Sequence, residues 1–153
     1  MINSCCRPVL ALLLLLDASQ AADLSSIGSW SESLTAANLV SGAGSDLQNQ
    51  IESVSGVTAL TISNAPGPWS VRARLSSSQW NSNFTLFVRR SSAGSGSGTI
   101  SGAEGYIEIT GSDSEIFSGS ENRGSISLQF KLTGLAGNIS VATYLSSIIF
   151  TVQ

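Results

Sequence analysis

Histidine is missing from the whole chain, and the only cysteines, Cys5 and Cys6, stand at its very start. Without histidine there is no Ser-His-Asp or Cys-His machinery and no imidazole to bind zinc. Both cysteines precede an apolar run that reads as a removable leader. The exported chain then carries no disulfide, no thiol nucleophile and no cysteine metal site. Charge is scarce as well, at 11% of residues, where soluble domains average about a quarter. The formal net charge is −3, and no basic stripe is present to neutralise phosphates, which excludes nucleic acid as a partner. After the leader, no stretch approaches the roughly 20 apolar residues that a membrane span needs.

What is present begins with that leader. Arg7 gives a positive start, Val9 to Leu16 an apolar stretch and Ser19-Gln20-Ala21 a small-x-small exit. This is a secretory signal over residues 1–21, cut after Ala21. Arg7 and Asp17 cancel within it, so the exported chain keeps the same net charge. Residues 22–29 form a short polar lead-in, expected to be mobile, and 30–153 a single domain. An exported chain without disulfides depends on an ordinary packed core. Its surface is built from Ser, Thr, Asn and Gly.

Apolar alternation sets the expected elements. Trp30 to Val40 holds a first strand, and Ser41 to Ser45 is a break. Asp46 to Val54 is expected to form one short helix, because Ser45 and Gln48 have capping-box spacing and Leu47, Ile51 and Val54 share a helical face. Strands follow at Thr58–Ile62, Trp69–Leu75, Phe84–Arg90 and Tyr106–Thr110. In the second of these Trp69, Val71, Ala73 and Leu75 point inward. Ile116-Phe117 reads as a short edge strand, and Ser91 to Gly98 as a flexible serine-glycine loop. Ile126, Leu128, Phe130 and Leu132 alternate with polar residues, which leaves Gln129 and Lys131 on a solvent face. After Thr133 to Asn138, Ala142, Tyr144, Ile148, Phe150 and Val152 return in one register, so the two runs are expected to pair as a closing hairpin. A bulge at Ser146-Ser147 would instead turn Ile149 inward. About seven strands with regular turn signals indicate an all-β sandwich or barrel.

Each chemical signal has a plainer explanation beside it. The acidic residues Asp46, Glu52, Glu104, Glu108, Asp113 and Glu115 are scattered and frame no cleft, so no catalytic pair is assigned. Asp113-Ser114-Glu115 with Glu121 and Asn122 lacks the ordered ligand ladder of a calcium loop, and no metal or cofactor is expected. Gly94 to Gly98 lacks the lysine and helix of a phosphate loop. Trp80, in the polar loop Gln79-Trp80-Asn81, can stack on a sugar or plug one end of the sandwich. Tyr106 is the second candidate ligand-binding aromatic. Asn83-Phe84-Thr85 and Asn138-Ile139-Ser140 match glycosylation acceptors.

The closing run Ala142-Thr143-Tyr144 to Ile148-Ile149-Phe150-Thr151-Val152 resembles the last strand of bacterial fimbrial and related surface subunits. The leader followed by a Ser/Gly/Thr-rich chain of this length does so too. The resemblance implies an Ig-like antiparallel sandwich and, in that family, completion by a neighbour's N-terminal extension. Here Leu24, Ile27, Trp30 and Leu34 are spaced by three or four rather than two, and no disulfide is available, so a self-complete domain fits the residues better. The expected protein is therefore exported to the periplasm, cell surface or medium. It is non-enzymatic, with a structural or adhesive role, and its partners are other surface proteins, its own edge strand or glycans. The alternative is a small carbohydrate-binding module using Trp80 and Tyr106.

Overall fold

The computed structural model describes residues 21–153, so the expected leader lies outside the described residues but for Ala21. Among the described residues ten strands form two antiparallel sheets. The first sheet runs β1 (Asp23–Gly28), β3 (Thr58–Ser63), β9 (Arg123–Thr133), β5 (Thr85–Arg90) and β7 (Ile107–Ile109), with β2 (Gln50–Glu52) also on β9. The second runs β10 (Leu145–Val152), β4 (Pro68–Gln79), β8 (Ser114–Ser120) and β6 (Ile100–Ser101). Their inner faces share one core, which makes the arrangement sandwich-like. Among the described residues no helix is long and apolar enough to cross a membrane.

Alternation placed the central side chains correctly. Leu60 and Ile62 of β3, Val71 and Ala73 of β4, Leu86 and Val88 of β5, and Ile126, Leu128 and Phe130 of β9 are buried together. On β4, Trp69 lies edge-on to Phe117 of β8 at 6.3 Å, and its indole N–H reaches the Glu121 carbonyl at 2.8 Å. Ile116 and Phe117 are not an edge strand, since β8 is paired with both β4 and β6. A register shift opposite Val71 and Arg72 lets both side chains enter the core. Such an extra residue breaks the period of two that alternation relies on.

Other expectations fail for physical reasons. There is no helix over Asp46–Val54; its centre is β2, with Gln50, Ile51 and Glu52 set against Thr133, Leu132 and Lys131. Ser45 turns its hydroxyl back to the Gly42 carbonyl at 2.7 Å and caps nothing. The short helical turn lies instead at Ala36–Asn38, within the stretch read as a first strand, and Thr35 with Asn38 makes the capping box. The lead-in of residues 22–29 holds β1, paired residue for residue with β3. The closing hairpin does not form: β9 belongs to one sheet and β10 to the other. The two runs still share a core, because Ile148, Phe150 and Val152 pack against it from the opposite side. The shift in β10 falls between Leu145 and Ser146, upstream of these residues, so Phe150 rather than Ile149 points inward.

The serine-glycine loop is packed rather than loose. Ser95 and Gly124 exchange backbone hydrogen bonds at 2.8 Å. A Cβ on Gly94 would strike the Gly124 carbonyl, and one on Gly98 the Ser120 carbonyl. Beside it the Arg123 guanidinium donates to the Gly98 carbonyl.

Burial ranks the expected cost of truncation. Phe117→Ala, at a site 1% exposed, should lose about 3–5 kcal/mol. The half-buried Phe150 should lose about 2 kcal/mol on the same scale, and the outward Ile149→Ala less than about 1 kcal/mol. Urea midpoints of the three variants check this order, and equal midpoints for Phe150→Ala and Ile149→Ala would contradict the assigned register.

Candidate functional site

Two surfaces hold the residues singled out above. The first is the outer face of the larger sheet. Cross-strand pairing sets Glu52, Lys131, Phe87 and Glu108 in one row. The next row carries Gln129 and Arg89, and Tyr106 stands beside them, one residue before β7. The Lys131 ammonium lies 4.3 Å from the Tyr106 ring centre and 4.9 Å from that of Phe87, while the Arg89 guanidinium is 4.9 Å from Tyr106. Cations attract the negative face of an aromatic ring. The Tyr106 ring is thus already engaged, and a sugar would have to displace a cation to stack on it.

Gln129 is the residue that pattern reading misplaced. It is buried, 8% exposed. Its side-chain oxygen accepts from Arg89 Nε at 2.9 Å and from a terminal nitrogen at 2.7 Å, and its amide donates to the Ser53 carbonyl at 2.7 Å. Ser53 in turn is fastened to β9: its N–H reaches the Phe130 carbonyl and its hydroxyl accepts from the Phe130 N–H, both at 2.9 Å. Polar alternation marks the face, but it does not reveal that Ser53 folds over that face and covers it.

The Tyr106 hydroxyl is buried and has no hydrogen-bond partner among the described residues. Burial raises its pKa above the ordinary phenol value, and the Glu52 carboxylate raises it further, with Arg89 opposing. Desolvation and a nearby negative charge both disfavour the phenolate.

The second surface is a groove of about 1290 Å³ where the sheets part, lined among others by Trp30, Trp80, Phe84, Leu132, Tyr144 and Phe150. Trp80 is partly buried, packed against the core. Its indole N–H donates to the Phe84 carbonyl at 3.3 Å, and its ring meets Phe84 edge-on at 5.5 Å. Phe84 meets Tyr144 in the same way at 5.0 Å. Trp30 enters from the segment after β1 and stacks on Phe130, with centroids 6.5 Å apart and planes 11° from parallel. Trp80 thus lines the groove while Tyr106 lies in the outer-face cluster, so the two candidate aromatics form no common platform. Trp30 was legible only as part of a strand; its inward set, Ala22, Leu24 and Trp30, has even spacing that the intervening Ser26 and Gly28 conceal.

The acidic loop is engaged within the chain. Asp113 receives Arg72 Nε at 2.7 Å, and Glu121 accepts the Ser97 hydroxyl. Among the described residues no cluster of three or more His, Cys, Asp or Glu is placed to hold a metal ion.

These contacts set the expected outcomes for the outer face. Gln129→Ala should cost about 1–3 kcal/mol, because it strands the buried Ser53 carbonyl and its Arg89 donor. Lys131→Ala should cost about 0.5–1 kcal/mol for its half-buried cation–π contacts; chemical denaturation separates the two. In a Tyr144→Phe background, absorbance titration should put Tyr106 above the ordinary value of about 10, and Glu52→Gln should lower it. The linked stability is complete below the unfolded value of about 10 and is lost as pH climbs through the raised folded value. No protein-family model, no curated protein and no solved structure matches this chain.

Proposed function

We propose that this chain is an exported, non-enzymatic, Ig-like sandwich with a structural or adhesive role at or outside the cell surface, acting through contact with other polypeptides. The observation that carries the reading is the state of β10. Its eight residues, Leu145–Val152, are paired among the described residues on one edge only, by β4. None of them is charged or proline, the usual devices that guard a sheet edge. The other outer strands are less open: β6 has two residues, β7 has three including Glu108, β2 has three including Glu52, and β1 carries Asp23. The apolar groove lies directly beside β10, with Ile148 and Phe150 in its wall.

The carbohydrate-binding alternative has less support. Trp80 is packed against Phe84, and Tyr106 is covered by cations. Deletion of the coding sequence in the source organism tests the proposal. Protease added to intact cells should degrade the wild-type chain, and deletion should reduce attachment to surfaces or to neighbouring cells. Full attachment without the chain would refute the role. Retention on a glycan array that is lost in Tyr106→Ala would favour the alternative.

A further inference from the structure

The groove between the sheets encloses open space that the described residues leave unfilled. Its volume of about 1290 Å³ exceeds the roughly 300–1,000 Å³ of a drug-sized pocket. It is bordered by Gly28 and Ser29 at the end of β1 and by Leu145 and Ser146 at the start of β10. Phe84, Leu86, Phe130 and Leu135 form its buried floor. Leu34, Val141 and Leu145 stand at its mouth, and all three are exposed, Val141 fully so. Apolar side chains gathered in the open around one cleft mark a binding surface, where singly scattered ones do not.

Two features limit what this groove accepts. The first is that donors on its aromatic wall are already spent. The Trp80 indole N–H goes to the Phe84 carbonyl and the Tyr144 hydroxyl to the Ser140 carbonyl, at 3.3 and 2.8 Å. A sugar or a peptide brings polar groups that each need a partner once buried, and these two rings have no donor left to give. The second is charge. Among the described residues that line the groove, Glu32 alone is charged, and it is exposed. No cation lies there to hold the carboxylate of a fatty acid or the phosphate of a headgroup, and burying either without one is costly. Uncharged hydrocarbon is the chemistry that remains.

We infer that the groove takes a hydrocarbon chain from a neutral lipid surface, with Leu34, Val141 and Leu145 entering that surface around it. This goes beyond the surface role proposed above and does not rest on it. Ser31, Ser33 and Thr143 also line the groove and are exposed, so hydroxyls meet the headgroups while the chain lies on leucine and aromatic carbon. Removal of apolar surface from water drives the contact, and salt screening leaves such a term untouched. The net charge of −3 opposes an anionic surface.

Tryptophan fluorescence reads the site, because Trp30 and Trp80 line the groove while Trp69 is buried against Phe117. The chain as exported is mixed with phosphatidylcholine vesicles whose acyl chains carry bromine, which quenches tryptophan on contact. Quenching is expected, and it should disappear in the Trp30→Phe, Trp80→Phe double variant, which keeps only Trp69. Val141→Asp and Leu34→Asp, each at an exposed position, should weaken binding about tenfold or more with an unchanged thermal midpoint. Anionic phosphatidylglycerol mixed into the vesicles should weaken it too, and added salt should not. Absence of quenching by the neutral vesicles, or full binding by both Asp variants, would overturn the inference. Binding that needs the anionic lipid would do the same. A brominated long-chain alcohol without vesicles separates the sources: quenching by the alcohol alone rules out the lipid surface. Sedimentation tests the other occupant, since a dimer lost in Val141→Asp, with no quenching, would assign the groove to a second copy. Loss of attachment on deletion would support the broader surface role under any of these results.

Discussion

Both edges of β9 are occupied along much of its length, and this saturation is the constraint on which the larger sheet depends. On one side it receives β3 and then β2 as two pieces of an interrupted strand; on the other it receives β5. Its inward side chains Ile126, Leu128 and Phe130 are buried, so backbone pairing and apolar burial reinforce each other there. Because the segment 53–57 between β2 and β3 need not continue the ladder, Ser53 is free to fold onto β9 and Gln129. That detour seals the outer face with hydrogen bonds where a bare sheet would show polar side chains to water. A buried amide is tolerable here because each of its polar atoms has a partner.

What could be read from the chain alone was which residues share a face. Alternation in Trp69–Leu75, Phe84–Arg90 and Ile126–Leu132 identified the core, since period two is a local property of the pleat. Which strand pairs with which was not legible, because pairing is decided by residues distant in sequence. Thus β9 and β10, adjacent in the chain and both well patterned, went to opposite sheets. The helix expected over Asp46–Val54 failed for a related reason. Helical spacing of Leu47, Ile51 and Val54 is a weak local preference, and the vacant edge of β9 near Lys131 to Thr133 overrides it. The candidate aromatics were visible as residues, but their surroundings were not. The cations over Tyr106 come from β5 and β9, and only the folded register brings them there.

The groove reflects an imbalance between the two layers. The larger sheet runs from β7 to β1, while the smaller one stops at β10. Part of the inner face near Leu132 is therefore roofed by side chains from irregular segments, Trp30 before the helical turn and Tyr144 before β10. Aromatic rings suit this task, since one ring covers the area of several aliphatic side chains at little entropic cost. The result is a core left partly open along this groove.

The serine-glycine loop has a consequence for how such chains can diverge. Backbone passes directly over backbone where Gly94 meets Gly124 and Gly98 meets Ser120, so neither glycine can gain even a methyl group without parting the strands. The serines between them do not share this constraint. Relatives of this chain should therefore show invariant glycines set among drifting hydroxyl residues, a signature easily mistaken for low-complexity linker. Steric exclusion, rather than flexibility, would be what selection preserves there.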